Sequence, residues 1–285
     1  MTSLTKVAYL GPVYSYSYLA SVEHFADTAE YVPVHTIAAV FETIQSGGAS
    51  FGVVPLENST DGRIVDTLNI LARADVSISA EINYAIHHNL IADCEMSKIR
   101  SVYSKPQALS QCRTWIDEHL PGVSIYDATS SAEAVEMLAR VDASIDTSTS
   151  AAIASTAAAK HFGVKIVAGS IQDAANNLTR FAVVGSNSKP PTGNDKTLLL
   201  LELDHRPGAL ADVMVAFKIE SINLTWIESF PRPNAANEYV FFIEFDGHQF
   251  DPPVERTIEY LGQYTRDVRV LGSYPRALVT GAPDS

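Results

Sequence analysis

Cysteine is almost missing from this 285-residue chain. Cys94 and Cys112 stand without a CxxC partner, so neither a disulfide framework nor a cysteine zinc site can be drawn from them. That scarcity points to a reducing compartment, and the cytoplasm is the expected location. Basic residues are short as well. The chain sets 20 Lys and Arg against 33 Asp and Glu, a formal net charge of −13, which disfavours nucleic acid and anionic membrane surfaces as partners. No apolar run approaches the ~20 residues of a membrane span. The opening MTSLTKVAYLG enters a short strand-like run, too short for the apolar core of a secretion signal. The histidines show neither HxxxH nor HxH spacing, and adjacent His87 and His88 read as strand neighbours facing opposite ways, so no metal site is expected. GxGxxG, a P-loop and a GxSxG elbow are missing too, which removes the motifs of nucleotide binding and serine hydrolysis.

What is present reads as two domains. The one clear break in composition is GSNSKPPTGNDK, residues 185 to 196, where Gly, Ser, Asn, Pro and Lys displace apolar periodicity for about a linker length. Before it, β-branched runs at Lys6–Leu10, Phe51–Val54, Ile99–Tyr103 and Lys165–Val167 alternate with helical patterns, the signature of an α/β fold. Residues 61–75 carry Ile64, Leu68 and Leu71 at i, i+4 and i+7, and Ser130 stands three before Glu133 in a capping-box spacing. After the break, the pattern predicts a strand at 196–203, a helix from 208, strands at 222–230 and 238–245, a helix at 254–263 and a strand at 267–273. This βαββαβ order is the ferredoxin-like split unit. The closing GAPDS reads as a loose tail.

Open α/β sheets hold ligands beyond the carboxyl ends of their strands, beside helix N-termini. Polar clusters fall at such junctions. GVVPLENSTDG follows a buried-looking strand with Glu57, Asn58, Ser59 and Thr60, ahead of a helix expected from Asp61 or Gly62. VYSKPQALSQC places Pro106 at a first helical position with Ser104 as a possible N-cap, and YDATSSAEA puts Thr129, Ser130 and Ser131 at another helix entrance. Any one of these is accounted for by capping. Capping needs one oxygen per helix, however, and together with Asn177, Thr179 and Arg180 the clusters suggest an anion-binding cleft. Arg180 taken alone reads equally as a structural ion-pair partner.

GVVPLENSTDGRIVDTL, VYSKPQALSQC, SSAEAVEMLA, AAIAS and NLTRF resemble the successive motifs of the prephenate dehydratases, and DHRPGALADVMVAF with INLTWIESFP is similar to their C-terminal ACT regulatory domain. The resemblance runs from about Val7 to Pro275. It implies an α/β fold made of a bilobed, periplasmic-binding-protein-like (type II) catalytic domain plus a ferredoxin-like ACT domain. The catalytic domain would span 1–187, with lobe 1 at about 1–80 and 172–187 and lobe 2 at about 81–171. A linker at 188–195, the ACT domain at 196–276 and a tail at 277–285 would follow. No N-terminal helical extension of a fused chorismate mutase is visible, so the single-activity form is expected.

The implied reaction converts prephenate to phenylpyruvate with loss of CO2 and the ring hydroxyl, and requires no cofactor. Thr179 would donate to the departing hydroxyl, with Arg180 and Asn177 holding carboxylate charge. Asn58 and Ser59 would be direct ligands and Glu57 an acceptor organising their loop. Ser15, Ser104, Gln107, Ser130 and Ser131 would complete the substrate site. In the regulatory domain Gly208, Ala209 and Leu210, with Glu228 and Ser229, would bind phenylalanine as effector in a homodimer or homotetramer.

The chain departs from the family pattern at four places. Tyr14 and Ser15 stand where Gly-Thr is usual, Lys105 where histidine is common, and Phe230 at the arginine of Glu-Ser-Arg-Pro, the next arginine being Arg232. Two other readings remain at this point: arogenate dehydratase, which needs an acidic partner for an extra ammonium, and a catalytically silent amino-acid or carboxylate sensor.

Overall fold

The computed structural model describes residues 4–140, 145–185, 189–231 and 239–281. The chain begins with β1 (Thr5–Leu10), α1 (Tyr16–Phe25), β2 (Ala29–Val34), α2 (Ile37–Gln45), β3 (Phe51–Asn58), β4 (Gly62–Arg63), α3 (Val65–Leu71) and β5 (Ser77–Ala85). It continues with β6 (Asn89–Ile91), β7 (Ser101–Ser104), α4 (Pro106–Gln111), α5 (Arg113–His119), β8 (Ser124–Asp127), α6 (Ser131–Ala139), β9 (Ser150–Ala154), α7 (Thr156–Phe162), β10 (Ile166–Ala168) and β11 (Leu178–Gly185). The last elements are β12 (Asp195–Glu202), α8 (Ala209–Ile219), β13 (Leu224–Pro231), β14 (Tyr239–Asp246), α9 (Pro252–Tyr264), β15 (Asp267–Pro275) and β16 (Val279–Thr280).

These strands build three sheets. The first runs β16-β5-β11-β3-β1-β2 with β4 attached to β3, and the second runs β10-β6-β9-β7-β8. The chain passes from the first sheet to the second through residues 86–88 and returns through 169–177. That double crossing gives the two lobes of a type II binding-protein fold. The third sheet, β13-β14-β12-β15, is antiparallel and carries α8 and α9, the ferredoxin-like order read from the sequence.

Small residues explain the second lobe. Strand β9 is buried along its whole length, so both of its faces must pack. Ala151 and Ile153 join the cluster containing Leu109 and Ile116, while Ala152 and Ala154 join the one containing Val135 and Ala158. Alternation with period two thus sends α4 and α5 to one side of the strand and α6 and α7 to the other.

By contact the described residues fall into two compact units, those of Met1–Thr67, Ile82–Phe181 and Val279–Ser285, and those of Leu68–Glu81 and Ala182–Leu278. Segment 68–81, placed in the first lobe by sequence, therefore groups with the ferredoxin-like elements. The reason is local: Arg269 donates to the carbonyl of Leu71, and the α-carbon of Gly272 lies against Ile78, where an added Cβ would meet the Ile78 carbonyl oxygen at 2.1 Å. Within the expected tail, Val279 and Thr280 form β16 alongside Asn83 and Tyr84 of β5. Positions 186–188, where the sequence ends the first domain and starts the linker, and Arg232 lie outside the described residues, as do 282–285 of the tail.

The second unit buries charge. Lys196 Nζ lies 3.1 Å from Glu81 Oε2 and 3.5 Å from Glu244 Oε1. Glu81 accepts from the Ala277 amide at 2.9 Å, and Glu244 from the Tyr274 hydroxyl at 2.9 Å and the Thr225 hydroxyl at 2.6 Å. All three ionic side chains are almost fully shielded from water. Removing the cation leaves two buried carboxylates facing each other. Among the described residues no helix is long and apolar enough to cross a membrane.

Lys196→Ala is expected to cost about 3–5 kcal/mol of stability, the range for uncovering a buried charge, read as a large fall in midpoint in urea. Gly272→Ala should lower the melting temperature clearly, because backbone and not a flexible side chain meets the new methyl.

Candidate functional site

The polar end of β3 organises the site. Strands β3 and β4 form a hairpin that pairs Glu57 with Arg63 and Asn58 with Gly62. The Asn58 side-chain oxygen accepts from the backbone amides of Thr60 at 2.9 Å and Asp61 at 3.2 Å. This is an Asx turn, and because both donors are backbone N–H groups it fixes which end of the amide is oxygen. The Asn58 nitrogen must therefore point the other way, where it donates to Asn177 Oδ1 at 3.0 Å and Thr179 Oγ1 at 2.9 Å.

The direction propagates from there. Asn177 Nδ2 donates to Gln111 Oε1 at 2.8 Å, and Gln111 Nε2 donates to Thr60 Oγ1 at 2.8 Å and Asp61 Oδ2 at 2.7 Å. Gln107 Nε2 donates to the same Asp61 oxygen. His88 Nε2 lies 2.9 Å from Gln111 Oε1, so it carries the proton, and Nδ1 faces the Tyr16 hydroxyl at 3.2 Å. Tyr16 also donates to the His87 carbonyl at 2.7 Å. Asn58, Asn177, Thr179, Gln111 and His88 are all buried. The cluster gathers the ends of β3 and β5, the start of β11 and the second lobe's α4; Ile86 N donates to Asn177 O, and Ser59 N to Leu178 O, both at 2.8 Å.

Burial pushes the His88 imidazole below its usual range despite the bond to Gln111, and lifts the Tyr16 phenol well above its own. The Cys112 thiol is pushed up to about 12, mainly by burial, so it offers no thiolate.

The other predicted residues divide. Arg180 follows Thr179 directly in an extended strand, so it leaves the opposite face and stays buried there. The Asn58 amide joins Asn177 to Thr179. Glu57 turns from Asn58 and pairs with Arg63. Ser59 accepts from Leu178 N at 2.9 Å and donates to Asn176 O at 3.1 Å, tying two loops. Ser15 caps α1 through Tyr18 N and donates to Leu10 O at 3.0 Å.

Ser104 is not a cap: Lys105 holds that position, and Ser104 donates to Ile153 O at 2.6 Å and lies 3.2 Å from Ser131 Oγ. Ser130 caps α6 by accepting from Glu133 N at 3.0 Å. Helix α3 starts at Val65 rather than at Asp61 or Gly62, because β4 occupies the intervening residues. His87 and His88 lie in the crossover after β5, not within a strand. Gln111, Asp61 and His88 had no site role from the sequence, although Gln111 stands one helical turn beyond Gln107 and shares its face.

Tyr14 adopts φ of 66°, the left-handed region that is costly for a bulky residue by about 1–2 kcal/mol. Its ring stacks on His161 with centroids 4.1 Å apart, and its carbonyl accepts from Ser155 Oγ at 3.4 Å. The ring thus packs on α7, and no hydrogen bond joins it to the Asn58 cluster.

In the second unit Gly208, at φ of 83°, precedes α8 as its N-cap. A cavity of 150 Å³ opens there, lined by Leu203, Arg206, Ala209, Leu210, Tyr239 and Phe241 among others. Glu228 and Ser229 lie on β13 outside that lining, adjacent and hence on opposite faces.

A bilobed α/β scaffold with oriented amides and a buried hydroxyl at its strand ends defines a small-molecule site of the type II binding-protein class. Comparison with known proteins narrows the class. The family model for prephenate dehydratase matches residues 7–189. The chain is 38% identical over 275 residues to the bifunctional chorismate mutase/prephenate dehydratase of Aquifex aeolicus (strain VF5), covering 96% of this chain and 74% of that protein. The crystal structure of prephenate dehydratase from Arthrobacter aurescens in complex with L-Phe superposes with a TM-score of 0.87 at 31% identity, covering 95% of this chain and 90% of that one. GqqA, described as a novel type of quorum-quenching acylase, superposes with a TM-score of 0.85 at 26% identity, covering 95% and 98%. The chain belongs to the prephenate dehydratase family, and as such is a lyase. Because similar structures carry two differently described activities, chemistry must be argued from the site residues.

His88 supplies a pH test. Its folded-state value lies below its unfolded value near ~6.5, so the unfolded chain binds the extra proton and stability is lost as pH falls below about 6.5. His88→Asn should shrink the drop in melting temperature between about pH 7 and pH 5; an undiminished drop assigns the titration elsewhere.

Proposed function

We propose that the chain converts prephenate to phenylpyruvate at the Asn58–Asn177–Thr179 cluster. In this reaction the ring carboxylate leaves as CO2, its bonding electrons pass into the ring, and the ring expels the hydroxyl, which takes one proton and departs as water. The hard step is departure of hydroxide, so a donor aimed at that oxygen is the protein's main task.

One observation carries the reading: Asn58 Nδ2 donates to Thr179 Oγ1 at 2.9 Å in a buried position. The Thr179 oxygen is thereby occupied as acceptor, its own proton is left to point outward, and its acidity rises. A threonine hydroxyl is a weak acid in water, so it serves first as an oriented donor. Asn177 holds the other hydrogen of the Asn58 amide and keeps that donor in line. Amides also suit a substrate carboxylate in a chain of net negative charge, because they bind it without adding charge.

The ferredoxin-like unit is read as an ACT domain that binds phenylalanine. The first amides of α8 have no intrahelical acceptor, and Gly208 removes the side chain that would cover them. The adjoining cavity joins an apolar wall of Leu203, Leu210, Tyr239 and Phe241, suited to an aromatic ring, to the polar Asp204, His205 and Arg206, and the Arthrobacter relative was solved with L-Phe. A cytoplasmic homodimer or homotetramer, with catalytic domain 1–187 and ACT domain 196–276, completes the proposal.

Thr179→Ala is expected to cut prephenate turnover by about 10²–10³, the range for removing one oriented donor, while Thr179→Ser keeps at least about a tenth of the rate. Both are read from phenylpyruvate absorbance. A serine variant as inactive as the alanine one would remove the hydroxyl-donor role. Added phenylalanine is expected to suppress wild-type turnover; indifference to it would leave the cavity without this effector.

A further inference from the structure

Asp61 has no evident structural duty. It lies four residues before α3, so it caps no helix, and among the described residues it makes no ion pair. Yet one of its carboxylate oxygens receives two side-chain amide donors, from Gln107 and Gln111, which stand at i and i+4 on one face of α4. Its own backbone amide is held at 3.2 Å by Asn58 Oδ1, the same atom that orients the donor to Thr179. Asp61 comes from the loop after β3, and the glutamines come from the second lobe.

Two amide N–H groups converging on one carboxylate oxygen form a carboxylate-binding device, and here its occupant is part of the chain. Gln111 is buried and Gln107 half-buried while Asp61 is exposed, so the donors are the more enclosed part and the carboxylate is the part free to swing into water.

We propose that Asp61 determines substrate selectivity by acting as a resident carboxylate. It holds the Gln107 and Gln111 donors until a carboxylate of the anionic substrate exchanges with it. This inference rests on the reading of the Asn58–Asn177–Thr179 cluster as the prephenate site. Two effects follow. While Asp61 is seated, the site competent to bind substrate is only a fraction of the population, and apparent affinity falls by that fraction. Its charge also repels a dianion, so anions that do not deliver a carboxylate to both glutamines gain nothing to offset the exchange.

The test is steady-state kinetics of Asp61→Ala and Asp61→Asn with prephenate, together with calorimetric titration of phenylpyruvate as a probe that needs no turnover. Asp61→Ala should lower KM and the phenylpyruvate Kd in parallel, by about tenfold if the resident carboxylate is seated nine-tenths of the time. Asp61→Asn keeps an acceptor oxygen without the charge and should fall between. A gain in affinity separates this role from a structural one, because damage to the loop raises KM. An unchanged or raised KM in both variants, with melting temperatures like wild type, overturns the proposal; if Asp61→Ala does not fold, the asparagine variant decides alone. Absence of prephenate turnover in the wild-type protein would instead overturn the reading of the site.

Discussion

The site depends on the two backbone amides that grip the Asn58 side-chain oxygen. A neutral amide can be turned end for end with little change of shape, and a cluster of them has no inherent polarity. Backbone N–H groups cannot reverse, so they impose one. From Asn58 the direction runs through Asn177 to Gln111 and His88, and by the other hydrogen to Thr179. The Thr179 proton is thereby set by the turn that ends the neighbouring strand β3. Loss of that turn would leave every contact in place as atoms and yet remove its sense.

Fold and site were legible to different depths. The ferredoxin-like order could be read because each strand and helix there is a separate apolar period between turn residues. Asn177 and Thr179 could be paired because strand alternation puts residues two apart on one face. Asp61, Gln111 and His88 escaped because nothing local marks them. Their partners lie 50 positions apart for Gln111 with Asp61 and 23 for His88 with Gln111, and only the folded chain joins them. The serines differ in another way. Ser15 and Ser130 hold helix caps and Ser104 a strand carbonyl, so their hydroxyls are already used by the backbone.

Polar burial is concentrated in two places with contrasting chemistry. Around Thr179 the buried groups are mutually oriented amides and a hydroxyl, with the exposed Asp61 carboxylate at their edge, which suits an anionic guest that brings its own charge. Around Lys196 they are ionic and closed, two carboxylates about one ammonium with further donors from Tyr274, Thr225 and the Ala277 amide. The first arrangement can exchange partners. The second cannot do so without exposing charge, so it fixes structure. Tyr14 adds a third case, a strained backbone held by a ring stacked on His161.

The edge of the first sheet bears on how the protein is made. Thr280 reaches the carbonyl of Asn83, 197 positions earlier in the chain. A ribosome delivers β5 long before β16, with the whole ferredoxin-like segment in between. Through that interval the outer border of β5 has open hydrogen-bonding groups and no native partner, and an unpaired border recruits whatever strand it meets. Vectorial synthesis thus gives the chain a window in which misassembly or chaperone capture competes with folding, and the window closes only when residues 279–280 emerge.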